Sequence, residues 1–316
     1  MVHVEYRKIG ELKVSTLGLG GHQFGAIWGV SQKDLVKQIV NTALDLGINV
    51  IDTAETYNDG LSEKLIGEVL KERGDRENVV IFTKISVEHL RYHQVIKAVK
   101  GSLERLKTNY LDVVMIHWPD PYVPVRETIK ALDELVDKGI IIHIGVSNFP
   151  PCLVEEAIAC SKHGIVLNEV LYNLIERDIE KEILPRMKKL NVAVVAYSPL
   201  AMGYLTGKYL KPILKSEDDP RRFIPWAQKE EYLGLIKPLL EAMKKVAYKY
   251  NKTLVQVALN WILAQDIFVI FGATKVEHVL ENIGAMGWRL TSEDMEYLRA
   301  VSDKVINELN KYCIDC

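Results

Sequence analysis

The chain has 316 residues, 48% hydrophobic and 26% charged, a mix that fits an ordinary packed protein and excludes disordered, collagen-like and disulfide-dense classes. Its 40 basic and 42 acidic side chains leave a net charge of −2, so no bulk positive field would recruit a nucleic-acid backbone or an anionic membrane. This length suits either two domains or one α/β barrel.

No apolar run approaches the ~20 residues needed to cross a bilayer, and the opening Met1-Val-His-Val-Glu-Tyr-Arg lacks an apolar signal core, so no membrane association and a cytoplasmic location are expected. The four cysteines (Cys152, Cys160, Cys313, Cys316) are too few for a disulfide scaffold. The terminal Cys313-Ile-Asp-Cys316 has neither four zinc ligands nor the strand-to-helix setting of a redox pair. No metal is expected.

In chain order, Glu5–Val14 reads as a short hairpin able to plug one mouth of a barrel. Eight β-branched apolar runs follow: Thr16–Gly20, Ile48–Asp52, Val79–Lys84, Leu111–His117, Ile141–Ser147, Ile165–Val170, Val192–Tyr197 and Ile267–Phe271. Helix-period segments separate them. After the first run, Ser31 reads as an N-cap with Asp34 at N3, then Leu35, Val36, Ile39, Val40, Ala43 and Leu44 form one apolar face, and Gly47 stops the helix. After the fourth, Ile129, Leu132, Leu135 and Val136 form a similar stripe ended by Gly139.

The runs are apolar on both faces, as a parallel sheet buried under helices requires. With no linker or composition shift, eight such units predict a single (β/α)₈ barrel over residues 1–316. Leu200–Gln228 reads as a long loop after strand seven, and Glu230–Tyr250, Leu254–Ala264 and Ser292–Asp303 as additional helices towards the C-terminus.

Two phosphate-binding motifs fail. A GxGxxG reading of Gly18-Leu-Gly20 would need glycine at Gln23, and Gly203-Tyr-Leu-Thr-Gly207-Lys208-Tyr209 has one residue too few for a P-loop and a tyrosine where Ser or Thr would hold magnesium. His89 and His93 lack a third ligand and read as surface histidines.

The strand ends carry the chemistry. Strand two ends in Asp52, strand three in Lys84, strand four in His117 and strand five in Ser147-Asn148, each roughly thirty residues from the last, one βα unit, so one register places them all at the C-terminal mouth where barrel enzymes act. Tyr57 follows Asp52 closely enough to lean over that mouth. Taken singly, each has a structural reading, such as a cap, an ion pair or a satisfied core histidine. Together they form an acid–base centre, in which Lys84 lowers the pKa of the Tyr57 phenol, Asp52 holds Lys84 charged, and His117 donates to a carbonyl oxygen that Tyr57 protonates.

At these positions the sequence resembles the aldo-keto reductase family, over essentially its whole length. The resemblance is carried by Gly47-Ile-Asn-Val-Ile-Asp52-Thr-Ala-Glu-Thr-Tyr57 with Ser62-Glu63-Lys64-Leu-Ile-Gly67, by Leu103-Glu-Arg-Leu-Lys-Thr-Asn-Tyr-Leu-Asp112 before His117-Trp118-Pro119, and by Gly145-Val-Ser147-Asn148-Phe149. Tyr197-Ser198-Pro199-Leu200, Gly203-Tyr-Leu-Thr-Gly207-Lys208, and Ile270-Phe-Gly272-Ala-Thr274-Lys275 ending at Glu281-Asn282 complete it.

The resemblance implies a reductase of aldehydes or ketones in which NADPH, or NADH, lies across the mouth and delivers hydride directly. It places the catalytic tetrad on Asp52, Tyr57, Lys84 and His117. It also implies that Ser147, Asn148 and Glu169 meet the carboxamide, Tyr197 stacks on the ring, Ser198, Leu200, Gly203 and Lys208 follow the pyrophosphate, and Gly272, Thr274, Lys275, Glu281 and Asn282 surround the adenosine.

Trp28, Trp118, Tyr122 and the Leu200–Gln228 and C-terminal loops are expected to line the pocket for an apolar or aromatic carbonyl compound. Three positions depart from the family's pattern: Glu169 stands for a glutamine, Phe271 for a proline and His278 for an arginine. A carboxylate at Glu169 accepts but cannot donate, and its charge is expected to favour the oxidised cofactor. Lys275 with Thr274 would serve the 2′-phosphate, favouring NADPH. A regulatory subunit resembling potassium-channel β subunits is the alternative reading. A glycosidase is a poorer one, since Lys84 stands between Asp52 and Glu169 in strand order.

Overall fold

The computed structural model describes residues 3–26, 29–209, 211, 217 and 219–313. The hairpin forms as expected, from β1 (Tyr6–Ile9) and β2 (Leu12–Ser15). It turns at Gly10, whose φ of +55° favours glycine and where a Cβ would lie 2.8 Å from the His143 ring.

Eight parallel strands follow: β3 (Leu17–Gly20), β4 (Val50–Asp52), β5 (Val80–Ile85), β6 (Leu111–Ile116), β7 (Ile141–Ser147), β8 (Leu167–Leu171), β9 (Ala193–Tyr197) and β10 (Phe268–Gly272). They close into a barrel in sequence order, β10 pairing with both β9 and β3. The expected strands are all present, with ends shifted by a residue or two where the last residues leave the ladder. His117 lies just past β6, its N–H donated to the Ile85 carbonyl at 3.0 Å.

Helices α1 (Lys33–Asp45), α2 (Leu61–Arg73), α3 (Tyr92–Leu106), α4 (Val125–Asp137), α5 (Pro151–Cys160) and α6 (Ile183–Leu190) alternate with the strands. After β9 come α7 (Glu230–Leu235), α8 (Lys237–Tyr250) and α9 (Leu254–Leu263), and after β10 come α10 (Val276–Ile283) and α11 (Ser292–Cys313).

Three boundaries differ from expectation. α1 is capped by the extended backbone of Gln32, with no side-chain cap from Ser31, and Asp34 falls in its first turn beside the free N–H groups. The expected Glu230–Tyr250 helix is two helices, because Pro238 in the first turn of α8 offers no N–H to a carbonyl of the preceding turn. α11 runs past Asp303, since buried Val305 and Leu309 continue its apolar stripe at a spacing of one turn. No described helix is long and apolar enough to cross a membrane.

Inside the barrel, the strand period of two puts Val50, Phe82, Met115, Leu167, Val195 and Ile270 on the inner face, packed from below by the hairpin's buried Ile9 and Val14. A Cβ on Gly145 would stand 2.8 Å from Met115 Cγ, so the glycine makes room for its larger neighbour. Outside, the strands and helices share a second, larger apolar layer.

The Ser62-Glu63 pair locks α2 into place. Glu63, fully buried, accepts from Thr83 Oγ1 at 2.6 Å and from Arg105 Nε at 2.6 Å, while the Ser62 hydroxyl donates to the Gly21 carbonyl at 2.8 Å. These bonds hold the loop carrying Tyr57 against β3, β5 and α3.

Candidate active site

Two residues beyond five of those six interior apolar positions the inner face turns polar. Val50 is followed by Asp52, Phe82 by Lys84, Met115 by His117, Leu167 by Glu169 and Val195 by Tyr197. A side chain at a strand's last inward position tops the packed interior and borders a cavity of about 660 Å³. Every expected site residue lines that cavity except four, among them the exposed Tyr122. Lys84 lies behind the lining, 1% exposed. Lys275 stands exposed at the start of α10, outside the lining. Trp28 lies outside the described residues.

Lys84 organises the closed end. Its Nζ donates to Asp52 Oδ2 at 2.5 Å, to the Thr53 carbonyl at 3.2 Å and to the Tyr57 hydroxyl at 3.3 Å, and Glu169 Oε1 lies 3.3 Å away. Burial alone would depress Lys84, but the charges of Asp52 and Glu169 outweigh it and hold the ammonium well above the ordinary lysine range. Two buried carboxyls thus face one cation. Burial raises both, and the Lys84 charge, nearer to Asp52 than to Glu169, pulls against it. Glu169 is pushed up to about 8, by burial first and then by the Asp52 charge. This shift is toward the protonated carboxyl, the opposite direction from the ionised carboxylate expected from sequence.

The phenol also departs from expectation. Lys84 does pull Tyr57 down, but burial and the two carboxyls push harder, and the group ends well above its ordinary value. Two imidazoles flank it: the ring centroid of His22 is 4.7 Å from that of Tyr57, and that of His117 is 5.7 Å away at 74°. Burial, then the Lys84 charge, pushes His22 down to about 4 and His117 to about 3, so both are neutral and each keeps one N–H.

Next to this centre Asn148, at φ +60°, joins three strand ends. Its Nδ2 donates to the His117 carbonyl at 3.2 Å and to Ser147 Oγ at 3.0 Å, and its Oδ1 accepts from the Tyr197 hydroxyl at 2.9 Å. Ser147 Oγ donates to the Glu169 carbonyl at 3.0 Å. Glu169 Oε2 is buried without a hydrogen-bond partner. The cavity continues past Ser198, Ala201, Met202 and Gly203, all at positive φ, a backbone path that curls the loop along the mouth. It ends beside Lys208, Thr274, His278, Glu281 and Asn282.

Sequence reasoning missed His22 and Asn58, which also line the cavity, while Arg221 lines it from within the Leu200–Gln228 loop expected there. His22 had a signal, since it sits two residues past Gly20, in the same inward register as the other strand-end groups. Asn58 Nδ2 donates to the His22 carbonyl at 3.1 Å and the Phe24 carbonyl at 2.8 Å. Arg221 pairs with the fully buried Asp219, a contact no local pattern announces. Tyr122, expected at the pocket, is 84% exposed and lies outside the lining. α11 contributes nothing to the lining either, being packed against α7 and α8. Among the described residues no cluster of His, Cys, Asp or Glu could hold a metal.

A closed parallel barrel with a carboxyl–ammonium–phenol chain over its strand ends defines an acid–base enzyme of the barrel class. The chain belongs to the aldo/keto reductase family, whose sequence profile matches residues 16–303; these are NAD(P)H-dependent carbonyl reductases. Aldo-keto reductase YhdN of Bacillus subtilis is 32% identical, the match covering 96% of each chain. The NADH-specific methylglyoxal reductase of Escherichia coli is 31% identical over 93% of this chain and 96% of its own. Among solved structures, an aldo-keto reductase from Klebsiella pneumoniae in complex with NADPH superposes with a TM-score of 0.76, at 28% identity over 96% of each chain.

Proposed function

We propose that this chain, as one unit over residues 1–316, reduces small aldehydes or ketones with NADPH in the cytoplasm, with Tyr57 as proton donor, Lys84 as the cation behind it, Asp52 as the counterion and His117 as the orienting donor. The observation that carries the reading is the contact chain from Asp52 through Lys84 to Tyr57, at 2.5 and 3.3 Å, under the floor of an open cavity.

The cavity fits a nicotinamide cofactor. It runs from the buried, partnerless Glu169 Oε2, a group suited to a carboxamide, to an end lined by the Lys208 cation and the His278 imidazole. When bound, the cofactor supplies hydride to the substrate's carbonyl carbon. The neutral His117 and the Tyr57 hydroxyl hold the carbonyl oxygen. Tyr57 passes its proton to the developing alkoxide, a stronger base than the phenolate left behind, and Lys84 meets that phenolate's charge. Asp52 keeps Lys84 charged and aimed, so no proton is lost from the ammonium.

Lys208 at that end of the cavity supports NADPH over NADH, since a 2′-phosphate adds charge that a cation can meet. Following NADPH absorbance with a panel of aldehydes and ketones tests the activity. Tyr57→Phe is expected to keep cofactor binding and to lower turnover by about 10²–10⁴-fold. Full turnover in that variant would overturn the assignment of the acid.

A further inference from the structure

We propose that Asp52 and Glu169 form a carboxyl dyad holding a single proton against Lys84, and that loss of this proton, not of the Tyr57 proton, sets how the protein discriminates oxidised from reduced nicotinamide cofactor. The inference rests on the cofactor reading above and adds a regulation to it.

The geometry carries it. Glu169 reaches Lys84 from β8 while Asp52 reaches it from β4, and the three side chains are 1–3% exposed. One buried ammonium neutralises one carboxylate. A second ionised carboxylate there would be uncompensated, at a cost proteins avoid by taking up a proton. With a proton present the two carboxyls share a hydrogen bond; without it they repel. Glu169 Oε2 has no donor from the protein, so nothing else is placed to stabilise a second anion.

Five groups facing the dyad from neighbouring elements, Tyr57, Tyr197, His117, His22 and Lys84, hold their protonation state across the neutral range. Tyr57, after β4, and Tyr197, on β9, are driven well above the ordinary tyrosine value by burial. His117, after β6, and His22, after β3, are pushed by burial down to about 3 and about 4. Lys84, on β5, stays charged. Glu176, past β8 and acting on Tyr197, is raised by burial but holds its own bond to Asn173. The site's charge therefore changes near neutral pH through the dyad, whose upper ionisation is at about 8.

Below that pH Lys84 and one carboxylate cancel, and the shared proton lies between the two carboxyls, leaving Glu169 Oε2 as a neutral acceptor. Above it the site is net negative and the second carboxyl only accepts. The oxidised nicotinamide ring is cationic and the reduced ring neutral, so alkaline pH favours the oxidised form. By linkage, binding the oxidised form near neutrality releases part of a proton from the dyad.

The test measures dissociation constants for NADP⁺ and NADPH by intrinsic fluorescence quenching between about pH 6 and about pH 9.5, in the wild type and in Glu169→Gln, an isostere without a titrating proton. In the wild type the Kd ratio of NADP⁺ to NADPH is expected to fall about tenfold as pH rises, as a charge within several ångströms of the ring would give. In the variant it is expected to stay flat. A flat ratio in the wild type, or the same slope in both proteins, overturns the proposal while leaving the cofactor reading intact. Failure of both cofactors to bind at any pH refutes the cofactor reading and the discrimination with it. Infrared titration of the free protein decides the dyad independently. A carboxylic-acid C=O band lost around pH 8 in the wild type and absent from Glu169→Gln supports it, and a band of the same titration in both proteins overturns it.

Discussion

Replacing Lys84 with methionine removes the cation in contact with two buried carboxyls while keeping a side chain of similar length, so the cavity contribution is small. The loss comprises charge-assisted contacts to Asp52 at 2.5 Å and Glu169 at 3.3 Å and the bonds to Thr53 and Tyr57. Breaking a buried pair from one side costs about 3–5 kcal/mol. That cost depends on pH in a definite direction. Burial already raises Asp52, and without the ammonium its folded pKa rises further above the unfolded value. Stability associated with a raised carboxyl is complete below the unfolded pKa and is lost as pH rises through the folded one. The variant's deficit should therefore be smallest at about pH 4, near the unfolded carboxyl values, and grow to a few kcal/mol at about pH 8. Urea unfolding at the two pH values reads this directly, with an unchanged m-value expected. An equal deficit at both values, or one under about 1 kcal/mol at the higher, would show that Lys84 does not neutralise this cluster.

In the wild type, Glu169 at about 8 against 4.5 when unfolded predicts stability that is full below pH 4.5 and is lost as pH rises through 8. Glu169→Gln should remove most of that slope between about pH 6 and about pH 9 in thermal melts, and an identical slope in the variant would refute the assignment. Ile9→Ala, which empties a 1% exposed plug position beneath the barrel, should cost about 2–5 kcal/mol in urea unfolding with KM unchanged. A changed KM with intact stability would mean that the hairpin acts on the site. Lys208→Ala should weaken NADPH binding about tenfold with NADH little affected; equal losses for the two cofactors would place Lys208 away from the 2′-phosphate.

Much of the barrel and its site was legible in the chain order because both follow from local periodicity. An inward apolar residue at Val50, Phe82 or Met115 dictates that Asp52, Lys84 and His117 also point inward, one pleat nearer the mouth. Helix faces follow in the same way, and α11 overran its expected end only because its stripe was read too short.

What local pattern leaves open is distance between elements far apart in sequence, and with it acidity. Glu169 lies 85 residues from Lys84; only closure of the sheet brings its carboxyl to 3.3 Å from the ammonium. Sequence therefore supplies a phenol, an ammonium and their shared register. Burial and the neighbouring carboxyls decide that the Tyr57 and Glu169 pKa values both rise, since desolvation and Coulomb energy depend on the assembled surroundings and not on neighbours in the chain.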